Sequence, residues 1–146
     1  MDKKTAEVRD SAAMKAETEK VSSRIREMIA LAGKTTPARA SLFDCDGYEP
    51  EGSTYQTDHP WSVYDLPFEE LEKAYAGMRT KLPQDGWKIV EDGPDTSKAK
   101  TPTLVANSRD GEFSVKVQLM DNRKHADATS VLSVTVVSRC FREESS

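Results

Sequence analysis

The order of apolar and polar side chains divides the chain into a helical start, a mixed middle and a strand-rich remainder. From about residue 5 to residue 32, Met14, Val21, Ile25, Met28 and Ala32 recur at steps of seven, four, three and four among charged residues. That spacing draws one stripe along a helix. Gly33, Lys34 and Pro37 predict its end, and the first ten residues, which carry almost no stripe, are expected to fray. A second helix opens at Pro67, with Glu69 and Glu70 suited to the positive end of its dipole. Its inward face is Phe68, Leu71, Tyr75, Met78 and Leu82, and Pro83 ends it.

Residues 34–64 read as mostly irregular, with a short strand over 38–43 and an interrupted edge strand over 55–64. Pro60 denies the latter one backbone donor, which favours an edge or a bulge. Beyond the second helix the period drops to two. Strands are predicted at 87–90 and 103–107, and Ser108-Arg109-Asp110-Gly111 reads as a hairpin turn. Phe113, Val115, Val117 and Leu119 alternate with Ser114, Lys116 and Gln118, and Leu132, Val134 and Val136 alternate in the same way towards Phe141. Continuing that alternation puts Cys140 on the Leu132 face, which favours a buried half-cystine over a reactive surface thiol.

The expected fold is α+β: an antiparallel sheet of four to five strands whose apolar face is covered by the 67–82 helix and a long N-terminal helix. The opposite face, with Lys88, Lys116, Gln118, Ser133 and Thr135, stands in water. The chain divides into an N-terminal helix or spacer (1–36), the α+β domain (37–142) and a disordered tail (143–146). Its 146 residues suit one domain with an appendage, and 36% apolar against 32% charged residues leaves much of it solvated.

The net charge of −4 argues against nucleic acid, which demands a concentrated basic surface. No apolar run approaches the ~20 residues of a membrane span. The start, Met1-Asp2-Lys3-Lys4, lacks the apolar region of a signal peptide, so the chain is expected to be cytosolic or already trimmed of an export signal.

Two cysteines, Cys45 and Cys140, bracket the predicted domain. If joined, they close a loop on the order of 100 residues and remove about 4.7 kcal/mol of unfolded-state freedom. Such a bond persists in oxidising surroundings; in a cytosolic protein both would be reduced.

From Asp44 to Glu72 the chain holds nine acidic residues and no Lys or Arg, a field suited to docking a basic partner or to simple solvation. Within it, Asp44, Asp46, Glu49, Glu51, Asp58, His59 and Trp61 are the candidate partner-binding residues. Calcium is not expected. Glycine falls at the fourth position of the Asp44 loop rather than the sixth, and no twelfth-position glutamate follows. The histidines, His59 and His125, have no G-x-S-x-G or paired zinc spacing beside them, so neither hydrolysis nor a metal is expected, nor any cofactor. An enzyme reading would use His59 with Asp58 or Asp65 and needs a concave pocket around His59. Trp61, Tyr64, Tyr75 and Trp87 are read as core or edge packing.

Four strings, Phe43-Asp44-Cys45-Asp46-Gly47, His59-Pro60-Trp61-Ser62-Val63, residues 82–90 with Leu82-Pro83 and Gly86-Trp87, and residues 136–141 around Cys140, are similar to those of a group of small exported lipoproteins of actinobacteria, streptomycetes among them. The likeness covers roughly 40–141. It implies export, a lipid-anchored or secreted state and a disulfide, and it supplies no catalytic residue. This chain departs from the group in having no lipid-attachment cysteine near its start. The expected function is therefore a non-enzymatic, extracytoplasmic binding or interaction domain at the cell envelope. Its partner would be an envelope protein or polymer and not nucleic acid, and membrane contact would come only through a lipid anchor that this sequence does not carry. The alternative is a cytosolic acidic adaptor or inhibitor-type protein that binds a basic partner.

Overall fold

A computed structural model describes the chain except residues 1–3, 6, 31–32, 37–38, 46–47, 50–53, 125–128 and 144–146. Its elements in order are β1 (Lys4–Thr5), β2 (Val8–Arg9), α1 (Ser11–Ile29), β3 (Lys34–Thr35), β4 (Ser41–Asp44), β5 (Tyr48–Glu49), β6 (Thr54–Tyr64), α2 (Phe68–Gln84), β7 (Lys88–Pro94), β8 (Pro102–Asn107), β9 (Phe113–Met120), β10 (Val131–Ser138) and β11 (Phe141–Glu143). The fold is α+β. Among the described residues nine strands form one sheet, larger than the four or five expected and mixed rather than purely antiparallel, because β2 joins β11 in parallel. β1 and β5 make a separate parallel pair.

Strands β7 to β10 form an antiparallel meander, and its alternation is what the sequence predicts. Leu104, Val117 and Val134 lie abreast in neighbouring strands, as do Ala106, Val115 and Val136. All six are buried against α1 and α2, and Leu71, Tyr75, Met78 and Leu82 of α2 pack on the same cluster. Each buried Leu or Val contributes about 1.5–3 kcal/mol by leaving water. Pro67 is the N-cap of α2 rather than its first helical residue, and Pro83 lies just inside the last turn.

The first half departs further from expectation. α1 begins at Ser11 because the Asp10 side chain accepts from the Ala13 N–H, 3.0 Å away. Before it, β2 pairs with β11, so residues 8–9 are strand, and Glu143, assigned to the tail, is paired with Arg9. The helix ends at Ile29, where Ala30 turns left-handed (φ 52°). Gly33 is not the stop. It lies so close to β6 that a Cβ there would sit 2.6 Å from the Tyr64 carbonyl oxygen. The buried line of α1 is Met14, Thr18, Ser22, Ile25 and Ile29, while Val21 and Met28 are half-buried at its flank.

β6 is interior, not an edge. Tyr55 lies between Asp44 of β4 and Phe141 of β11, and Val63 between Thr35 of β3 and Leu132 of β10. Pro60 is tolerated because it falls between the stretches that β4 and β3 cover (55–58 and 63–64), where no strand needs its missing N–H.

The alternation of β10 also fails at its end. Val137 opposes Asp58, yet Phe141 opposes Tyr55, one residue out of step. The inserted residue inverts the faces. Phe141 is therefore fully buried and Cys140 only half-buried, not carried onto the Leu132 face by simple alternation.

Candidate functional site

Cys45 and Cys140 are joined by a disulfide, with their Cα atoms 6.1 Å apart. The bond ties the end of β4 to the link between β10 and β11. Gln56 Oε1 lies 3.2 Å from the Cys45 sulfur, a packing contact, since a disulfide has no proton to donate.

Of the acidic candidates, Asp44 and Asp58 are the two whose side chains are described, and they do not sit together. Asp44 is exposed on β4, and Asp58 faces away from α1, accepting from the Gln56 side-chain amide at 2.9 Å. Glu49 lies in β5, and Asp46 and Glu51 fall outside the described residues, as does His125. Asp65 pairs with Lys34 at 3.6 Å on the surface. Among the described residues no three or more His, Cys, Asp or Glu side chains are grouped so as to hold a metal ion.

His59 and Trp61, two apart on β6, turn instead towards α1. This is the pleat at work: odd-numbered residues 57 to 63 meet the helices and even-numbered ones do not. The seam between α1 and β6 is polar where the meander is apolar. The Thr18 hydroxyl donates to the Met14 carbonyl at 2.7 Å, so the short contact between the Thr18 and Thr57 hydroxyls has Thr57 as donor. The Thr57 backbone N–H in turn donates to the Ser138 hydroxyl at 3.0 Å, linking helix, β6 and the slipped end of β10. One turn along α1, the Ser22 hydroxyl is 2.6 Å from His59 Nδ1.

A cavity of about 180 Å³ opens beside that pair, lined by Ser22, Arg26, Thr35, Thr36, His59 and Trp61 among others. Arg26 reaches it because it stands four residues, about one turn, beyond Ser22. Thr35 and Thr36 are held over it by the mutual bonding of Thr36 with Ser62: backbone N–H to carbonyl at 3.0 Å, and Ser62 N–H to the Thr36 hydroxyl at 2.9 Å. Trp61 is only 5% exposed, and its indole N–H has no hydrogen-bond partner among the described residues. An unmet buried donor costs about 1–3 kcal/mol, so it marks a place where an acceptor would be welcome.

The Ser22–His59 pair is not arranged for nucleophilic catalysis. Ser22 is 2% exposed in mid-helix, and no carboxylate among the described residues lines the cavity. A wider open groove of about 720 Å³ runs between α1, the end of α2 and the β8–β9 turn, over Trp87 and Phe113. Its charges are of both signs, Glu17, Asp85 and Asp110 against Arg24 and Arg109, and Arg24 is bonded to Asp85 at 2.7 Å. With acids in slight excess and one base already paired, it offers no concentrated positive charge to an anion.

His59 and Trp61 are legible in the sequence as candidates; Ser22, Arg26, Thr35 and Thr36 are not. The available signal is Thr18, Ser22 and Arg26 at four-residue steps beside the apolar stripe, which places three polar groups on one helix face. Compared with protein families, curated proteins and solved structures, the chain matches none.

Proposed function

We propose that this chain is a non-enzymatic binding domain that works outside the cytoplasm, at the cell envelope, in the manner of the small actinobacterial lipoproteins it resembles in sequence. The Cys45–Cys140 bond carries the reading. It closes a 95-residue loop that contains β6 to β10 and α2, and a crosslink of that kind survives where glutathione and thioredoxin do not reach it. Support for a binding rather than catalytic role comes from the α1–β6 seam. Its histidine is bonded to a buried serine, while Asp58 lies on the other sheet face and Asp65 is engaged by Lys34. No helix among the described residues is long and apolar enough to cross a membrane. Any partner, an envelope protein or polymer, would be met through the α1–β6 cavity and the exposed Asp44 at the end of β4.

Thiol counting tests this. Protein isolated natively and alkylated under denaturing conditions without reductant should show no modified cysteine. Two alkylated cysteines would overturn the compartment and leave the acidic cytosolic adaptor in its place.

A further inference from the structure

We infer that the cavity between α1, β3 and β6 binds an oxyanion, a carboxylate or phosphoryl group, through Arg26, the Trp61 indole N–H and the hydroxyls around them. This gives a ligand chemistry to the binding domain proposed above. It rests on that domain being a binder but not on its compartment.

The lining is one-sided. Every described residue on it carries a side-chain hydrogen-bond donor, one is a guanidinium, and none of them is acidic. In a chain with 25 acidic and 21 basic residues, such a patch is an electrostatic exception. Among the described residues Arg26, like the exposed Arg39 and Arg109, has no carboxylate partner, whereas the exposed Arg24, Arg79 and Arg123 each have one. The surface cation nearest this cavity is thus left for something that is not part of the fold.

The second observation is independent of charge. Trp61 lines the cavity, and its indole N–H is buried without an acceptor. Native folds rarely leave such a donor unmet. Indole nitrogen can only donate, so whatever satisfies it must bring a lone pair. A water could do that, but the guanidinium on the same wall favours an acceptor that is itself charged, because charge-assisted hydrogen bonds are roughly twice as strong as neutral ones. Thr35 and Thr36 add hydroxyls that serve as donors to such a group.

The geometry is preorganised. His59 is fixed by Ser22, and Thr36 is fixed twice to Ser62, so ligand entry has few side chains left to order. The volume, about 180 Å³, is below the ~300 Å³ at which drug-sized pockets begin. It suits a small ion or the terminal group of a larger molecule.

The test is a titration of the full chain with sodium phosphate and sodium acetate, each against sodium chloride at equal ionic strength. The readout is the Trp61 indole N–H resonance, identified by its loss in Trp61→Phe. A saturable shift in the millimolar range is expected, with the Trp87 indole unmoved, and Arg26→Ala should weaken binding by at least about tenfold. Arg26 is exposed, so its removal leaves the fold standing; Thr35→Val is the second variant and should weaken binding less. Saturation by an oligophosphate or oligoglutamate but not by the free ions would place the same group on a larger molecule. The inference is overturned if none of these moves the resonance, if chloride moves it equally, if only a neutral monosaccharide does, or if Arg26→Ala binds as well as the parent. Each of those failures leaves the thiol count, and the compartment it reports, untouched.

Discussion

The two halves of the sheet are held by different forces. In the meander, β7 to β10 under α2, the contacts facing the helices are overwhelmingly apolar, Leu104 against Val117 against Val134, with Leu71 and Met78 above. Along α1 and β6, hydroxyls and an imidazole interleave with Ile25, Ile29 and Val63. Apolar packing is forgiving of partner identity, whereas a hydroxyl seam works in one register only, since a slip of a single residue orphans several buried groups at once. Its larger buried apolar area is therefore expected to give the meander the larger share of the stability. The seam fixes where α1 sits and leaves space beside it.

The largest change comes from removing the bond that spans both halves. Cys45→Ala with Cys140→Ala should cost about 4–5 kcal/mol in urea unfolding, because the unfolded chain regains its freedom. Since that effect acts on the unfolded state, opening free energies by native-state hydrogen exchange should fall in both halves alike. A fall confined to β4 and β11 would show instead that the crosslink acts locally.

Next, Leu104→Ala in the meander should lose about 2–5 kcal/mol, the cost of a lost side chain plus a cavity. The seam is expected to be softer. Ser22→Ala should cost about 1–2 kcal/mol, and a double-mutant cycle with His59→Ala should recover a coupling energy of that size. Equal losses at Leu104 and Ser22 would erase the distinction drawn here.

Acid provides the mildest probe, and it acts on the loops. Asp95 is held below the ordinary carboxylate value mainly by the Ser97 hydroxyl, helped by the Ser97 and Thr101 backbone N–H groups. Asp110 is lowered chiefly by the Glu112 N–H. Asp121 is lowered to about 2 by the Arg123 guanidinium and backbone. A lowered folded value means that the ionised form is the one the fold favours. The contribution is complete above the ordinary value near 4 and disappears as pH falls through the folded one. Taking the protein from pH 6 to pH 3 should therefore speed amide exchange in 95–101 and 108–113, after correction for intrinsic rates, while α2 and β10 stay protected. Uniform loosening would contradict this.

How much of this was readable in the sequence follows the same division. In α2, β9 and β10 a position's burial depends on period alone, so Leu71, Met78, Val117 and Val134 could be placed without knowing their neighbours. Thr18 and Ser22 could not. A polar residue on the buried line of a helix makes sense only through Thr57 and His59, far along the chain, and apolar counting passes over it. Pro60 hid the interior place of β6 because its harmlessness depends on a gap between two other strands. The slip between Ser138 and Phe141 has no composition signature at all; it is accompanied by the Ser138 hydroxyl taking the Thr57 N–H, a contact far apart in the chain. The disulfide needed only two cysteines and a domain between them.

The parallel pairing of Val8–Arg9 with Arg142–Glu143 sets how the protein would answer a mechanical load. If its two ends were pulled apart, these strands would slide past one another lengthwise, with the bond from the Arg9 guanidinium to Glu112 resisting the slide. Once they part, the sulfur link bars everything between Cys45 and Cys140 from extending, so only the flanks can pay out. Tension would thus strip α1 from β6 while the meander kept its shape.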